Sequence, residues 1–385
     1  MNASHAQQTT TAPESPAGTT GITTRPPRVL VATQRCAGTT EGATDPVRIR
    51  QHLNTGGYTR PPAPAVIVYR MGSDRHRQTG VVVEVSIDDY RTGRIRRHEA
   101  TQPERERRLN EIIEATGIEH MPVTLAHPSR ARLSSLLTEI AAGEPDVHLD
   151  AADGITHTAW IRHDAELART IQDELGHIDT LYIADGHHRM AAAERYAGRR
   201  SRLGEDHAGA FTLAALFPSD EMRILGYHRC LPLPEGMSAS DVLERLAAQP
   251  VTARVEECAS TETASPAPGI VTVRLDGRSY RLWLRAPRES EHVRASLDIV
   301  TLDEELLPAM FGTVESRPRG APVFAAENTG GATCWCAERD AIGFFPHPPS
   351  VEQVMAVSDA GLVMPPKSTC FHPKAGAGLF ARELF

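Results

Sequence analysis

The densest group of chemically useful side chains is five consecutive residues, Asp185, Gly186, His187, His188 and Arg189, inside TLYIADGHHRMAAAERYAG at 180–198. Leu181 to Ala184 read as a strand, Asp185 and Gly186 as a turn, and the alanine-rich stretch from Met190 as the first turns of a helix. A helix start offers free backbone N–H groups and the positive end of the dipole. Two histidines and an arginine placed there can surround phosphate oxygens. The competing explanation is structural: Asp185 caps the helix, Gly186 permits the turn, and one histidine packs inside. The chain has no Walker GxxxxGK[ST] pattern and no convincing Rossmann GxGxxG turn, so a phosphate cradle here follows neither standard design.

Three further groups are candidates for the same chemistry. Lys367, Ser368, Thr369, His372 and Lys374, in the Pro-rich segment MPPKSTCFHPK, could engage phosphate or orient a polar substrate, or belong to a solvated extension. His228 and Arg229 form a second anion contact at a strand end, with a paired surface or core-edge role as the blander reading. His98 and Glu99 begin a charged segment that is either a solvated face or part of the site. Cys334 and Cys336 lack a second pair at metal-binding spacing and read as buried thiols. No GxSxG element is present, and Cys36 has no histidine partner identifiable from sequence.

Alternating elements must position these residues. Strands are expected at 28–33, within 61–90, at MPVTLAH and around 211–234. Helices are expected after Thr101, with Thr101 as cap and Glu104 closing a capping box, and at ARLSSLLTEIAAG, DVLERLAAQ and 351–360. Asp276 and Gly277 mark a hairpin turn, and VRASLDIVTLDEELLPAMF reads as a strand followed by a helix. The fold class is therefore α/β or α+β with a mixed-sheet core. Residues 1–27 are expected to be a flexible leader, 28–230 a mixed α/β domain carrying the Asp185–Arg189 element, and 231–385 a second α+β subdomain.

Composition narrows the partners. With 385 residues, 40% hydrophobic and 23% charged, the chain can build a real core and is neither collagen, coiled coil nor a membrane-spanning protein. A net charge of -8 argues against a duplex-binding surface and leaves room for a local basic groove that holds a nucleotide or phosphorylated metabolite. No specific nucleic acid and no stable membrane insertion are expected. Six sparse cysteines and the absence of a secretory pattern point to the reducing cytoplasm.

The blocks RQTGVVVEVSIDDY, HEAT, YIADGHHRMAAAERYAG, LFPSDEMRILGYHR and MPPKSTCFHPKAGAGLF, in this order over roughly 60–385, resemble the domain-of-unknown-function family 1015. The chain departs from that family's usual Pro-Pro-Tyr-Asp segment, having Ala32 to Ala37 and a threonine- and glycine-rich loop in its place, which alters a candidate substrate wall. The central unit also resembles the phosphate-handling element of ParB/sulfiredoxin-superfamily free-serine kinases. That resemblance implies nucleotide-phosphate contacts at Gly186, His187, His188 and Arg189, catalytic roles for Glu99 and Asp185, and Mg²⁺ held by Asp185 or Glu99. It further implies ADP or ATP as donor and free L-serine or a related hydroxylated small molecule as acceptor. The alternative is a noncatalytic nucleotide-binding regulatory or interaction protein.

Overall fold

The computed structural model describes residues 21–33, 51–73, 76–199, 207–259, 264–286, 292–312, 323–325 and 329–384. Its largest sheet has nine strands. Eight run in the order Ile95–Arg96, Leu181–Asp185, Val123–His127, Phe211–Pro218, His76–Ser86, Val66–Ser73, Thr156–Arg162 and Val147–Asp150, and Thr24–Arg25 pairs with His76–Ser86. The pairing is mixed. Leu181–Asp185 lies parallel to Ile95–Arg96 but antiparallel to Val123–His127, which is itself parallel to Phe211–Pro218.

Period-two alternation splits these strands between two cores. Val66, Val68, Leu181 and Ile183 face a cluster closed by the helices Ala131–Ile140, Ala165–Leu175 and His187–Arg199. Ile67, Tyr69, Tyr182 and Ala184 face the opposite way, onto Val29, Val31, Val351, Val354, Phe371 and Phe380. The second face is thus covered by chain segments from both ends of the sequence. Phe380–Glu383 pairs with Val29–Ala32 and with Ile118–Glu119, and its fully buried Arg382 bonds Glu119 at 2.9 Å and Glu84 at 2.7 Å.

A six-stranded sheet forms a second core, ordered Thr252–Cys258, Arg278–Leu284, Ile270–Leu275, Ala341–Phe345, Tyr227–Pro232 and Val323–Ala325. Asp276 (φ 49°) and Gly277 (φ 72°) make its hairpin turn, both left-handed as a two-residue type I′ connection requires. The helix Ala239–Ala247 packs Val242 and Leu246 into this core.

Several local expectations change. Residues 293–311 contain no strand: Val293–Ser296, Asp298–Val300, the π-helical Thr301–Leu306 and Leu307–Phe311 follow one another as helical turns. Buried Ile299, Leu302, Leu306 and Met310 recur at helical spacing, and Pro308, lacking an N–H, cannot continue a regular ladder. The helix Pro103–Thr116 is capped by Gln102, not Thr101, and that cap makes no side-chain bond. Cys336 is buried but Cys334 is exposed, its thiol donating to Glu338 at 3.0 Å. Of the expected leader, residues 1–20 lie outside the described residues, while Ile22 is buried and Thr24–Arg25 is a strand. Cys36 and most of the 32–37 segment also lie outside the described residues. Among the described residues, no helix is long and apolar enough to cross a membrane.

Candidate functional site

The parallel pairing of Ile95–Arg96 with Leu181–Tyr182 makes the connections after both strands leave the sheet at the same end. His98 to Gln102 follow one strand and Asp185 to Arg189 follow the other, so residues far apart in sequence become neighbours. Glu99 Oε2 lies 3.7 Å from His187 Nδ1, and the His98 and His187 rings meet edge to face at 4.5 Å. The antiparallel Val123–His127 strand starts at this end too, which brings His120 and Met121 into the same wall.

These connections line a cleft of about 570 Å³, within the ordinary range for small-molecule sites. Its opposite wall comes from Tyr227 and from the C-terminal segment through Pro366, Lys367, Thr369, Phe371 and Lys374. Four cations, Arg105, Arg189, Lys367 and Lys374, face two carboxylates, Glu99 and Asp185. The cleft therefore favours an anion.

The helix His187–Arg199 opens into this space. Gly186 accepts the first helical bond from the Met190 N–H at 2.9 Å, which leaves the first-turn N–H groups without partners inside the helix. Gly186 has φ +102°, and a Cβ there would stand 2.7 Å from Arg189 Nη2. Only glycine lets Arg189 fold back over the turn to donate to Asp185 at 2.6 Å. Burial would raise the Asp185 carboxyl, but Arg189, Lys374 and Lys367 outweigh it and hold the carboxyl below its ordinary range.

The imidazoles stay neutral for the opposite reason. Burial pushes His98 down to about 4 and, reinforced by Arg189, does the same to His120. His187, 5% exposed, is held well below its ordinary range by burial first and then by His98, His188 and Arg189. His188 is lowered by burial and Arg105, and its Nε2 accepts from the Gln102 N–H at 3.0 Å, which puts its proton on Nδ1. This bond ties the N-cap residue of the helix Pro103–Thr116 to the site. Among the described residues, the His187 Nε2, His120 Nδ1 and Arg189 Nε atoms are buried without a hydrogen-bond partner.

The geometry thus brings together Glu99, Asp185, Gly186, His187, His188, Arg189, Lys367, Thr369 and Lys374. His98 stands directly behind them, its Nε2 3.0 Å from Thr369 Oγ1. Ser368 and His372 are not in the wall. The Ser368 hydroxyl turns back to the Pro365 carbonyl at 2.5 Å, and His372 lies in a short strand opposite Arg223.

His228 and Arg229 are also outside the cleft. His228 packs against Phe345, ring centroids 4.4 Å apart, and Arg229 is 5% exposed and engages Asp303 through both carboxylate oxygens at 3.0 and 2.6 Å. Strand alternation turns His228 away from the face of Tyr227, and Arg229, on that face, is taken up by Asp303. Sequence reasoning did not single out Tyr227, His120 or Arg105. One signal was available: among 41 Lys and Arg, Lys367 and Lys374 are the only lysines, and both line this cleft.

The protein is thus a mixed α/β fold in which a helix N-terminus and four cationic side chains meet at one cleft. The chain belongs to the family described as "Protein of unknown function (DUF1015)", whose pattern matches residues 47–301. No curated protein matches the chain. Among solved structures it is similar to a variant free serine kinase in complex with AMP, at 18% identity and a TM-score of 0.36 over 76% of this chain and 86% of that one. It is also similar to SbnI with a C-terminal truncation from Staphylococcus aureus (15%, TM-score 0.37, 76% and 82% covered). A conserved hypothetical protein from Pyrococcus furiosus is a third (16%, TM-score 0.34, 76% and 90% covered).

Proposed function

We propose that the chain is a nucleotide-dependent small-molecule kinase that phosphorylates free L-serine or a related hydroxylated amino acid. The observation that carries this reading is the convergence, in one cleft, of a helix N-terminus, four cations and the Glu99 carboxylate. The resemblance of Asp185 to Arg189 to the phosphate-handling element of free-serine kinases supplies the acceptor class.

In this reading the first turn of His187–Arg199 and the side chains of Arg189, Lys367 and Lys374 hold the phosphates of ADP or ATP. Neutral His187 and His188 donate hydrogen bonds without adding charge that would trap the product. The acceptor hydroxyl oxygen attacks the terminal phosphorus, and its proton passes to Glu99. The bond from phosphorus to the bridging oxygen breaks, and the shortened nucleotide leaves with that electron pair. Asp185 orients Arg189 toward the transferring group.

Among the described residues, no group of three or more His, Cys, Asp or Glu could hold a metal by itself. In this reading Mg²⁺ needs no such group, because it takes one or two carboxylates and completes its shell with phosphate and water. Glu99 or Asp185 would hold it, and when bound it neutralises charge on the phosphates.

Two variants test the assignment. Arg189→Ala should keep the fold and weaken nucleotide binding, measured by calorimetry, by about tenfold or more, the loss of a charge-assisted bond. Unchanged affinity would remove Arg189 from the phosphate contacts. Glu99→Gln should bind nucleotide normally and lose turnover, and full turnover by that variant would exclude Glu99 as the proton acceptor. Nucleotide affinity without any transfer in the wild-type chain would favour the regulatory reading.

A further inference from the structure

We propose that Arg229, buried in the second sheet and paired with Asp303, is a positioning residue that fixes Lys367 as a phosphate-binding charge in the cleft. Its functional consequence rests on the nucleotide reading above; its structural content does not. Arg229 distributes its donors over three parts of the chain. Nε and Nη2 hold Asp303 in the π-helical turn at 3.0 and 2.6 Å, Nη1 reaches the Tyr227 carbonyl at 3.3 Å, and Nη2 reaches the carbonyls of Lys367 at 3.0 Å and Pro366 at 3.4 Å.

Lys367 has φ 58°, the left-handed region that side chains other than glycine rarely adopt, so something must hold it there. The Arg229 bond to its carbonyl is that restraint. From this conformation the ammonium stands 5.5 Å from the centroid of the Tyr227 ring, on the same strand face as Arg229. Two alternate residues of one strand therefore grip Lys367 at its backbone and at its charge. The next two residues continue the restraint, through the Ser368 hydroxyl on the Pro365 carbonyl and the Thr369 hydroxyl against His98.

A buried ion pair is poor evidence of stabilisation, because apolar replacements of the same volume usually do as well. Retaining one here is explained if the guanidinium is needed for its surplus donors. Composition points the same way: a chain with 41 basic residues uses lysine at only two positions, 367 and 374. At both, a compact ammonium with three rotatable donors faces the cleft where arginine's planar fork is used everywhere else.

The scarcity of lysine makes the test direct. Reductive ¹³C-methylation of the full chain labels two lysine side chains, and Lys367→Arg assigns them. In the wild-type chain the Lys367 signal should be displaced by the Tyr227 ring current, and in Arg229→Gln, which adds no lysine, it should move to the position of a free side chain while the Lys374 signal stays. Because removing one partner of a buried pair can unfold a protein, Arg229→Met combined with Asp303→Leu is the second variant, and it should give the same shift with a cooperative melt. No movement of the Lys367 signal in a folded variant would overturn the proposal.

The functional arm uses ADP and ATP as probes. Arg229→Gln should raise the dissociation constant about tenfold, and should add nothing further in a Lys367→Met background. Additive losses would mean that Arg229 acts independently of Lys367. If the wild-type chain binds neither nucleotide, the nucleotide reading fails while the methylation result still decides the positioning claim.

Discussion

Gly186 concentrates the residue-scale account, because its left-handed backbone and missing Cβ let Arg189 reach Asp185. Gly186→Ala should strain the turn by about 1–2 kcal/mol and displace the guanidinium. Calorimetry should show nucleotide affinity falling about tenfold, beyond what the small loss of melting temperature explains. Wild-type affinity in that variant would mean the Asp185–Arg189 pair is not part of the binding geometry. The Asp185–Arg189 unit was legible in the sequence because its five residues are contiguous and sit at a strand-to-helix change. His120 and Tyr227 were not, since only sheet pairing carries them to the cleft. From sequence, Arg229 reads as an anion contact at a strand end, or as a paired surface group or core-edge hydrogen bond. The pairing is what the fold contains, and its partner, Asp303, lies 74 residues away on a helical turn.

At the scale of elements, the site depends on a two-residue edge strand. Ile95 and Arg96 pair in parallel with Leu181 and Tyr182, and Leu181 N–H also donates to the Arg94 carbonyl at 2.8 Å. Such a strand carries too few residues for periodicity to register, which is why the proximity of Glu99 to His187 could not be foreseen. The longer helices and the Asp276–Gly277 hairpin could be read from apolar spacing and turn chemistry. The cap falls on Gln102 because Pro103 takes the first helical position, where its missing N–H costs nothing. Thr101→Ala should accordingly change stability by less than about 0.5 kcal/mol, whereas His188→Ala should cost about 1 kcal/mol and alter nucleotide binding. Urea titration measures both. A large loss from Thr101→Ala would restore it as the cap.

At the scale of the whole molecule, the C-terminal segment leaves the second core, supplies one wall of the cleft and ends by pairing in the first. Arg382, 1% exposed, locks this path through Glu84, Glu119 and the carbonyls of Ala208 and Phe211. Arg382→Met strands two buried carboxylates and should destabilise the fold by about 3–5 kcal/mol in a urea titration.

Buried neutral histidines add a pH dependence. His98, His120 and His228 are all pushed down to about 4 by burial, so in the range between that value and the ordinary 6.5 the unfolded chain binds more protons than the folded one. Their contribution is complete above pH 6.5 and is lost as pH falls toward 4. His228→Leu, on the strand face opposite Tyr227, should make the decline in the urea midpoint over that window shallower. An unchanged slope would mean that His228 is not a neutral buried group.

Phosphoryl transfer is read most directly from its products. Purified chain is incubated with Mg²⁺, a panel of free hydroxy-amino acids and, separately, ADP or ATP, and the products are followed by mass spectrometry. The account predicts enzyme-dependent phosphoserine, or another phosphorylated hydroxy-amino acid, in one-to-one stoichiometry with AMP or ADP, and its loss in Glu99→Gln. A folded chain that binds nucleotide and transfers nothing to any acceptor would contradict it.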